Sequence, residues 1–240
     1  WHATHTDEPF LPLALMSGSV VPYAMAAGGC AMGAMLGLTV HMPLYYEVVY
    51  GLTAAEAGLA LIPIAAVSVL GAAAAGHTMT KAVHYKRIAI AGTSCAAIMA
   101  LTIALSTPLP LPALLVMLAI FSIGLGMVFP VSLVSIQNAV PRPQVGTATG
   151  AMNFFRALLS SFTVAAFTTI LLMALGPAIS FSGEHAGATR EIAAPDMIRA
   201  FRYVFEAAAA LLALSALFIT LMEERPLAGP AREKPSLVSE

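Results

Sequence analysis

Six apolar stretches, each long enough to cross a bilayer, fill this chain almost end to end. A helix needs roughly 20 apolar residues to cross about 30 Å of hydrocarbon. The stretches read as Val20–Tyr46, Ala55–Met79, Ile88–Ser106, Leu111–Ile136, Gly146–Leu175 and Met197–Met222. With 59% hydrophobic and 10% charged residues, little is left to build a water-soluble domain. The chain is therefore predicted to be all-α and integral to the membrane. Residues 1–19 form a cytoplasmic lead-in, 20–222 one six-helix membrane domain, and 223–240 a cytoplasmic tail. Its first partner is the lipid bilayer.

The residues also exclude classes of function. A formal net charge of −1 offers no electrostatic footprint for nucleic acid. No metal-ligand spacing and no Ser–His–Asp arrangement occurs, so no enzyme and no bound cofactor are expected. Gly124-Leu-Gly126 lies inside a span, where a nucleotide loop has no context. Cys30 and Cys95 both fall within apolar spans and read as small buried hydrophobes, not as a disulfide. The sequence begins at Trp1 instead of Met and reads as a segment of a longer chain.

Charge sets an expected orientation. Lys81, Lys86 and Arg87 fall between the second and third spans, Arg142 between the fourth and fifth, and Arg225, Arg232 and Lys234 after the sixth. On the other side, Glu47–Ala54 and Thr107–Pro110 carry no Lys or Arg, and only the loop between the fifth and sixth spans has Arg190, with Arg199 and Arg202 near the start of the sixth span. The positive-inside rule places the basic loops and both termini in the cytoplasm. Tyr45, Tyr46 and Tyr50 then mark the outer end of the first span, as an interfacial aromatic belt would. The longest loop, between the fifth and sixth spans, reads as an outer, solvated one.

Motifs inside the spans point to packing and to a path. Gly29, Gly33 and Gly37 recur every four residues, so they line one strip where another backbone can come close. Met25, Met32, Met35 and Met42 lie on a largely opposed arc. They are either lipid or packing contacts, or a soft lining for an apolar substrate, since Met repacks around varied shapes. Gly124, Gly126 and Pro130 predict close packing together with a bend. Pro22 and Pro63 interrupt other spans, which neighbouring helices allow. Gly146 and Gly150 form another strip of small residues.

Ionisable groups within spans are candidates for function. Arg156 either snorkels to the inner surface or lines a vestibule. His41 makes an interfacial polar contact or faces a substrate. Glu206 pairs with Arg202 four residues earlier, near the outer surface.

Taken together, these residues resemble the C-terminal half of a major facilitator superfamily transporter, of the fourteen-helix drug:proton antiporter branch. The resemblance rests on Glu8-Pro-Phe-Leu-Pro-Leu13, and on Pro43-Leu-Tyr-Tyr46 with Gly51-Leu-Thr-Ala-Ala-Glu-Ala-Gly58 and Leu61-Ile-Pro63. It continues in Gly124-Leu-Gly126 with Pro130, Gln137-Asn-Ala-Val-Pro141, and Gly146-Thr-Ala-Thr-Gly150 with Asn153-Phe-Phe-Arg156. Two places depart from the pattern. The cytoplasmic loop keeps Gly76, Lys81, Lys86 and Arg87 but lacks the family's acidic residue and second glycine. After Arg156, Ala157-Leu-Leu-Ser-Ser161 replaces a glycine-rich run.

The resemblance implies two inverted three-helix repeats. The first and fourth helices would be central, the second and fifth at the contact with the other half, and the third and sixth peripheral. It further implies proton-gradient-driven export of apolar or amphipathic compounds across a cell membrane, the bacterial inner membrane. The missing N-terminal half of the same transporter would be the partner. A transporter of another small solute, such as a sugar or organic acid, and a truncated non-transporting membrane protein are the alternatives. The substrate-path candidates are Met32, Met35, His41, Met42 and Arg156.

Overall fold

The computed structural model describes residues 18–79, 85–176 and 193–223. It contains helices α1 (Val21–Tyr50), α2 (Ala54–Met79), α3 (Lys86–Ser106), α4 (Leu111–Ala139), α5 (Val145–Leu175) and α6 (Ala194–Leu221), with a 3-10 turn at Arg142–Gln144. All six helices are long and apolar enough to cross a membrane. The lead-in before residue 18, Lys81, most of the α5–α6 loop and the tail beyond residue 223 lie outside the described residues.

Helix ends follow local chemistry. Pro22 opens α1 in its first turn, where a missing N–H costs nothing, so it starts the span where an interruption was expected. α1 runs four residues past its expected end and stops at Gly51, whose φ of 67° suits a residue without Cβ. The Gly51 N–H donates to the Glu47 carbonyl and that of Leu52 to Tyr46. Thr53 then starts α2 with a capping box. Its N–H donates to Glu56 Oε2 at 2.9 Å, and the Glu56 N–H donates back to Thr53 Oγ1 at 3.3 Å. This is the physical content of Gly51-Leu-Thr-Ala-Ala-Glu56: one helix ends and the next begins within three residues. Pro130 lies inside α4, which continues through it without a break.

The helices alternate in direction. Ser19, before α1, donates to Glu223, after α6. Lys86 Nζ donates to the carbonyls of Thr220 and Met222. These contacts gather the start of α1, the start of α3 and the end of α6 on one side. On the opposite side the Tyr50 hydroxyl donates to the Leu109 carbonyl at 2.7 Å. Lys86 thus acts as a cap on the C-terminal carbonyls of α6, favoured by the helix dipole, and not as a freely solvated loop charge. Arg87 is exposed.

Packing is organised by a two-fold relation between α1–α3 and α4–α6. α2 lies along α4 as α5 lies along α1. α3 packs on α4 as α6 packs on α1, and α3 and α6 pack on each other. α1 and α4 carry the core and are the most buried, whereas α2 and α5 are the most exposed. The inverted-repeat arrangement expected from the resemblance is therefore visible in the pairing of helices.

Glycines set the separations. A Cβ on Gly126 would run into the Ser68 carbonyl and lie 3.0 Å from the Ala72 nitrogen, both α2 backbone. Gly71 answers from α2, against the Ile123 carbonyl. Gly92 and Gly124 face each other's backbone where α3 crosses α4, with 2.7 Å between a Gly92 Cβ and the Gly124 oxygen. The strip on α1 works differently from expectation. Gly29, Gly33 and Gly37 form a groove filled by the side chains of Leu159, Thr163 and Phe167 on α5, not by another backbone. Gly146, Gly150 and Gly76 meet nothing within 4 Å. The expected helix contact at Gly146 and Gly150 is therefore not made within the described residues.

The tyrosines also correct an expectation. Tyr45 and Tyr46 are fully buried and do not form an interfacial belt. The Tyr45 ring stacks 4.8 Å from Phe201 of α6 and 5.8 Å from Tyr50, closing the end of the bundle where α1 stops.

Candidate functional site

Arg156 is the centre of the most unusual chemistry in the bundle. It sits eleven residues into α5, about 16 Å from the helix start at 1.5 Å per residue. Its side chain does not run out toward the end of the bundle where α5 starts. It folds inward to where α5 meets α1 and α4. Nη2 donates to the Phe129 carbonyl at 3.2 Å, and Cζ lies 5.4 Å from the Phe129 ring centroid, a cation–π distance. Gly28 of α1 makes the room, since a Cβ there would lie 2.9 Å from Nε and 3.3 Å from Ser132 Oγ. Nε is buried with no hydrogen-bond acceptor among the described residues. Both described salt bridges, Arg199–Asp196 at 2.9 Å and Arg202–Glu206 at 3.2 Å, lie on α6. No carboxylate among the described residues reaches Arg156.

His41 is buried in the seam between α1 and α5. Nδ1 lies 2.7 Å from the Gly37 carbonyl and Nε2 lies 2.9 Å from Thr168 Oγ1. A carbonyl only accepts, so Nδ1 carries a hydrogen and donates it. The Phe167 ring stands 6.5 Å from the imidazole. In this structure His41 ties α5 to α1 and does not face an open path. Met42 is also corrected: it is fully buried in the core and lines no open surface. Met32 and Met35 are half-buried, and they remain as the methionines of α1 with free surface.

Most other hydroxyls in the spans donate to a carbonyl one turn back in their own helix, as at Thr93, Ser122 and Ser132. Ser215 is different, donating across to the Ala27 carbonyl at 2.8 Å and so fixing α6 to α1. Glu206 is paired with Arg202 as its spacing predicts, at an exposed position. It borders one of two adjoining crevices between α5 and α6, of about 570 and 470 Å³, which share Ile170, Ala207 and Ala210. Neither is lined by Met32, Met35, His41 or Arg156.

Several site residues were missed in the sequence. Gly28 stood beside a strip defined by its neighbours. Phe129, Ser132 and Thr168 carry no motif. The one available signal was register: Leu159, Thr163 and Phe167 repeat every four residues, matching Gly29, Gly33 and Gly37.

With this geometry in hand, similarity to known proteins decides the family. The sequence profile of the Major Facilitator Superfamily matches residues 2–164. The chain belongs to the Major Facilitator Superfamily. That match spans α1 to α4 and the first part of α5, including Arg156 and its neighbours. The chain is 26% identical over 173 residues to a "Tetracycline resistance determinant" of Streptomyces rimosus, covering 71% of this chain and 50% of that protein. It is 24% identical over 161 residues to the "Multidrug transporter protein MdtP" of Bacillus subtilis, covering 65% and 29%. An "Uncharacterized MFS-type transporter" of Mycobacterium tuberculosis matches at 25% over 175 residues, covering 72% and 25%. The chain thus spans half the length of these relatives or less. The superfamily is one of transporters, not enzymes, and the six apolar helices fit a multi-pass membrane protein of that kind.

Proposed function

We propose that this major facilitator chain is the C-terminal half of an exporter of apolar or amphipathic compounds, driven by the proton gradient across the cell membrane. The observation that carries this reading is the match of one continuous stretch to transporters named for tetracycline resistance and for multidrug transport. The geometry supports it. α2 and α5 leave broad faces uncovered, as helices at a contact with another half would. The exposed face of α5 carries Asn153, Ala157, Ser161, Ala165 and Thr169 at four-residue spacing. This small, weakly polar strip suits a close helix contact or the wall of a cavity, and the exposed Phe154, Leu158 and Phe162 beside it add apolar surface. Met32 and Met35 add adaptable apolar surface. The basic loops argue for cytoplasmic termini.

The test is transport by the full-length protein in inverted membrane vesicles. Energised vesicles should accumulate ethidium and a neutral dye, and a protonophore should abolish that uptake. Uptake equal to that of vesicles without the protein, or unaffected by the protonophore, refutes the reading.

A further inference from the structure

Arg156 presents a charge that the helices around it hold in place and that no described residue neutralises. We propose that it is the docking point for an anionic group, a carboxylate, on the compound being transported. This rests on the transport reading above and adds a substrate class to it.

The argument begins with cost. A charged side chain at depth in a membrane protein is expensive and is normally paired or faces a cavity. Arg156 has five N–H donors. One finds the Phe129 carbonyl, a neutral acceptor. Nε is buried without an acceptor among the described residues. The Phe129 ring adds attraction but no countercharge. The guanidinium is nevertheless firmly positioned. One edge lies against Gly28, where a Cβ would come within 2.9 Å of Nε and 3.2 Å of Nη2. Three helices therefore meet to orient a cation, and none of them supplies an anion.

The other edge is open. Nη1 makes no hydrogen bond to the described residues and is not among the buried, unpartnered atoms. Asn153, three residues earlier on the same helix, is exposed, as is Ala157. Residues three apart share a helix face, so Asn153 lies on the same face of α5 as Arg156, and Ala157 next to it adds little bulk. A guanidinium fixed on one edge with a neighbouring amide is suited to a planar carboxylate. A point charge meant only to reach the headgroups would need no glycine cut into α1. The ligand class is thus an amphipathic carboxylate, with an apolar body alongside the uncovered faces and its anion at Arg156.

The experiment uses the full-length transporter in phosphatidylcholine nanodiscs and two probes, pyrenebutyrate and its methyl ester. Fluorescence anisotropy against empty nanodiscs gives each affinity at pH 7.5. A hydrogen bond to a charged group corresponds to about a ten- to hundredfold preference for the acid. Arg156→Gln should remove that preference while leaving ester affinity within about twofold. Arg156→Lys keeps the charge but not the fork and should retain part of it. Equal binding of acid and ester by the unmodified protein overturns the proposal, the charge then being answered by a carboxylate elsewhere in the protein. A preference that survives Arg156→Gln overturns it as well. Protonophore-sensitive uptake in vesicles, measured for pyrenebutyrate and its ester as well as for the dyes, separates the two readings. Uptake without acid preference sinks the anion site alone, and acid preference without uptake sinks the transport reading alone.

Discussion

Gly126→Ala should be far more damaging than its one added methyl suggests. On helix propensity alone the change is favourable, by about 1 kcal/mol at an unconstrained helix position. At Gly126 the new Cβ would overlap the Ser68 carbonyl oxygen and come 3.0 Å from the Ala72 nitrogen, where ordinary contact begins near 3.4 Å. Both obstacles are backbone atoms, so no rotamer relieves them. α2 and α4 must separate, and a gap of on the order of 1 Å forfeits about a quarter to a half of each dispersion contact along the crossing. In lipid those contacts drive association, because hydrocarbon offers the helices no hydrophobic incentive to meet. Overpacking of about 1–3 kcal/mol plus this loss gives a net destabilisation of about 2–3 kcal/mol after the propensity gain. For a chain of this size that is a fall of about 5–10 °C in Tm.

The assay is fluorescence-detected size-exclusion chromatography of a tagged protein after a temperature series. Gly58→Ala, at an exposed α2 position with nothing within 4 Å, is the comparison and should leave Tm unchanged or slightly raised. Gly71→Ala strikes the same crossing from the other side. Helices already parted by one methyl accommodate a second more easily, so the double variant should lose less than the sum of the singles. Gly126→Ala with the Tm of Gly58→Ala would refute the close-crossing argument.

Other expectations follow from single contacts. Thr168→Val leaves His41 Nε2 without its partner in a buried seam, and Tm should fall by the equivalent of about 1–3 kcal/mol; no change in melting would show that the α1–α5 link contributes nothing. Met32→Ala with Met35→Ala should spare abundance but alter the relative export of several unrelated dyes, and an unchanged profile would assign that arc to lipid. Gln144→Cys should resist a membrane-impermeant thiol reagent applied to whole cells while Ala55→Cys reacts, both positions being exposed; labelling in the reverse sense would overturn the orientation.

The spans were readable in the sequence because membrane insertion demands long apolar runs and almost nothing else, so their limits agree with the helices to within four residues. The helix pairing was also legible, but through family resemblance and not through periodicity. With apolar residues all round each helix, no face announces itself as the buried one. That is why Tyr45 and Tyr46 were expected at an interface and lie in the core, and why Gly146 and Gly150 were expected to meet a helix and do not within the described residues. The small-residue spacing identifies where close approach is possible; only the packed bundle shows what approaches. Arg156 illustrates the same divide. Its presence in a span marked it as a candidate, but its inward fold depends on Gly28, Phe129 and Ser132, which lie far away along the chain.

The cross-paired architecture bears on the order of assembly. α2 finds its closest neighbour in α4, and α1 finds its own in α5 and α6. Of these six helices, α1, α2 and α3 are made before the other three and share few of their final contacts with one another. Gly71 and Gly92 present bare backbone until α4 arrives, and the groove of Gly29, Gly33 and Gly37 stays unfilled until α5 does. Over the interval between insertion of α3 and of α5, a newly made chain exposes the surfaces most open to mispairing with other membrane helices.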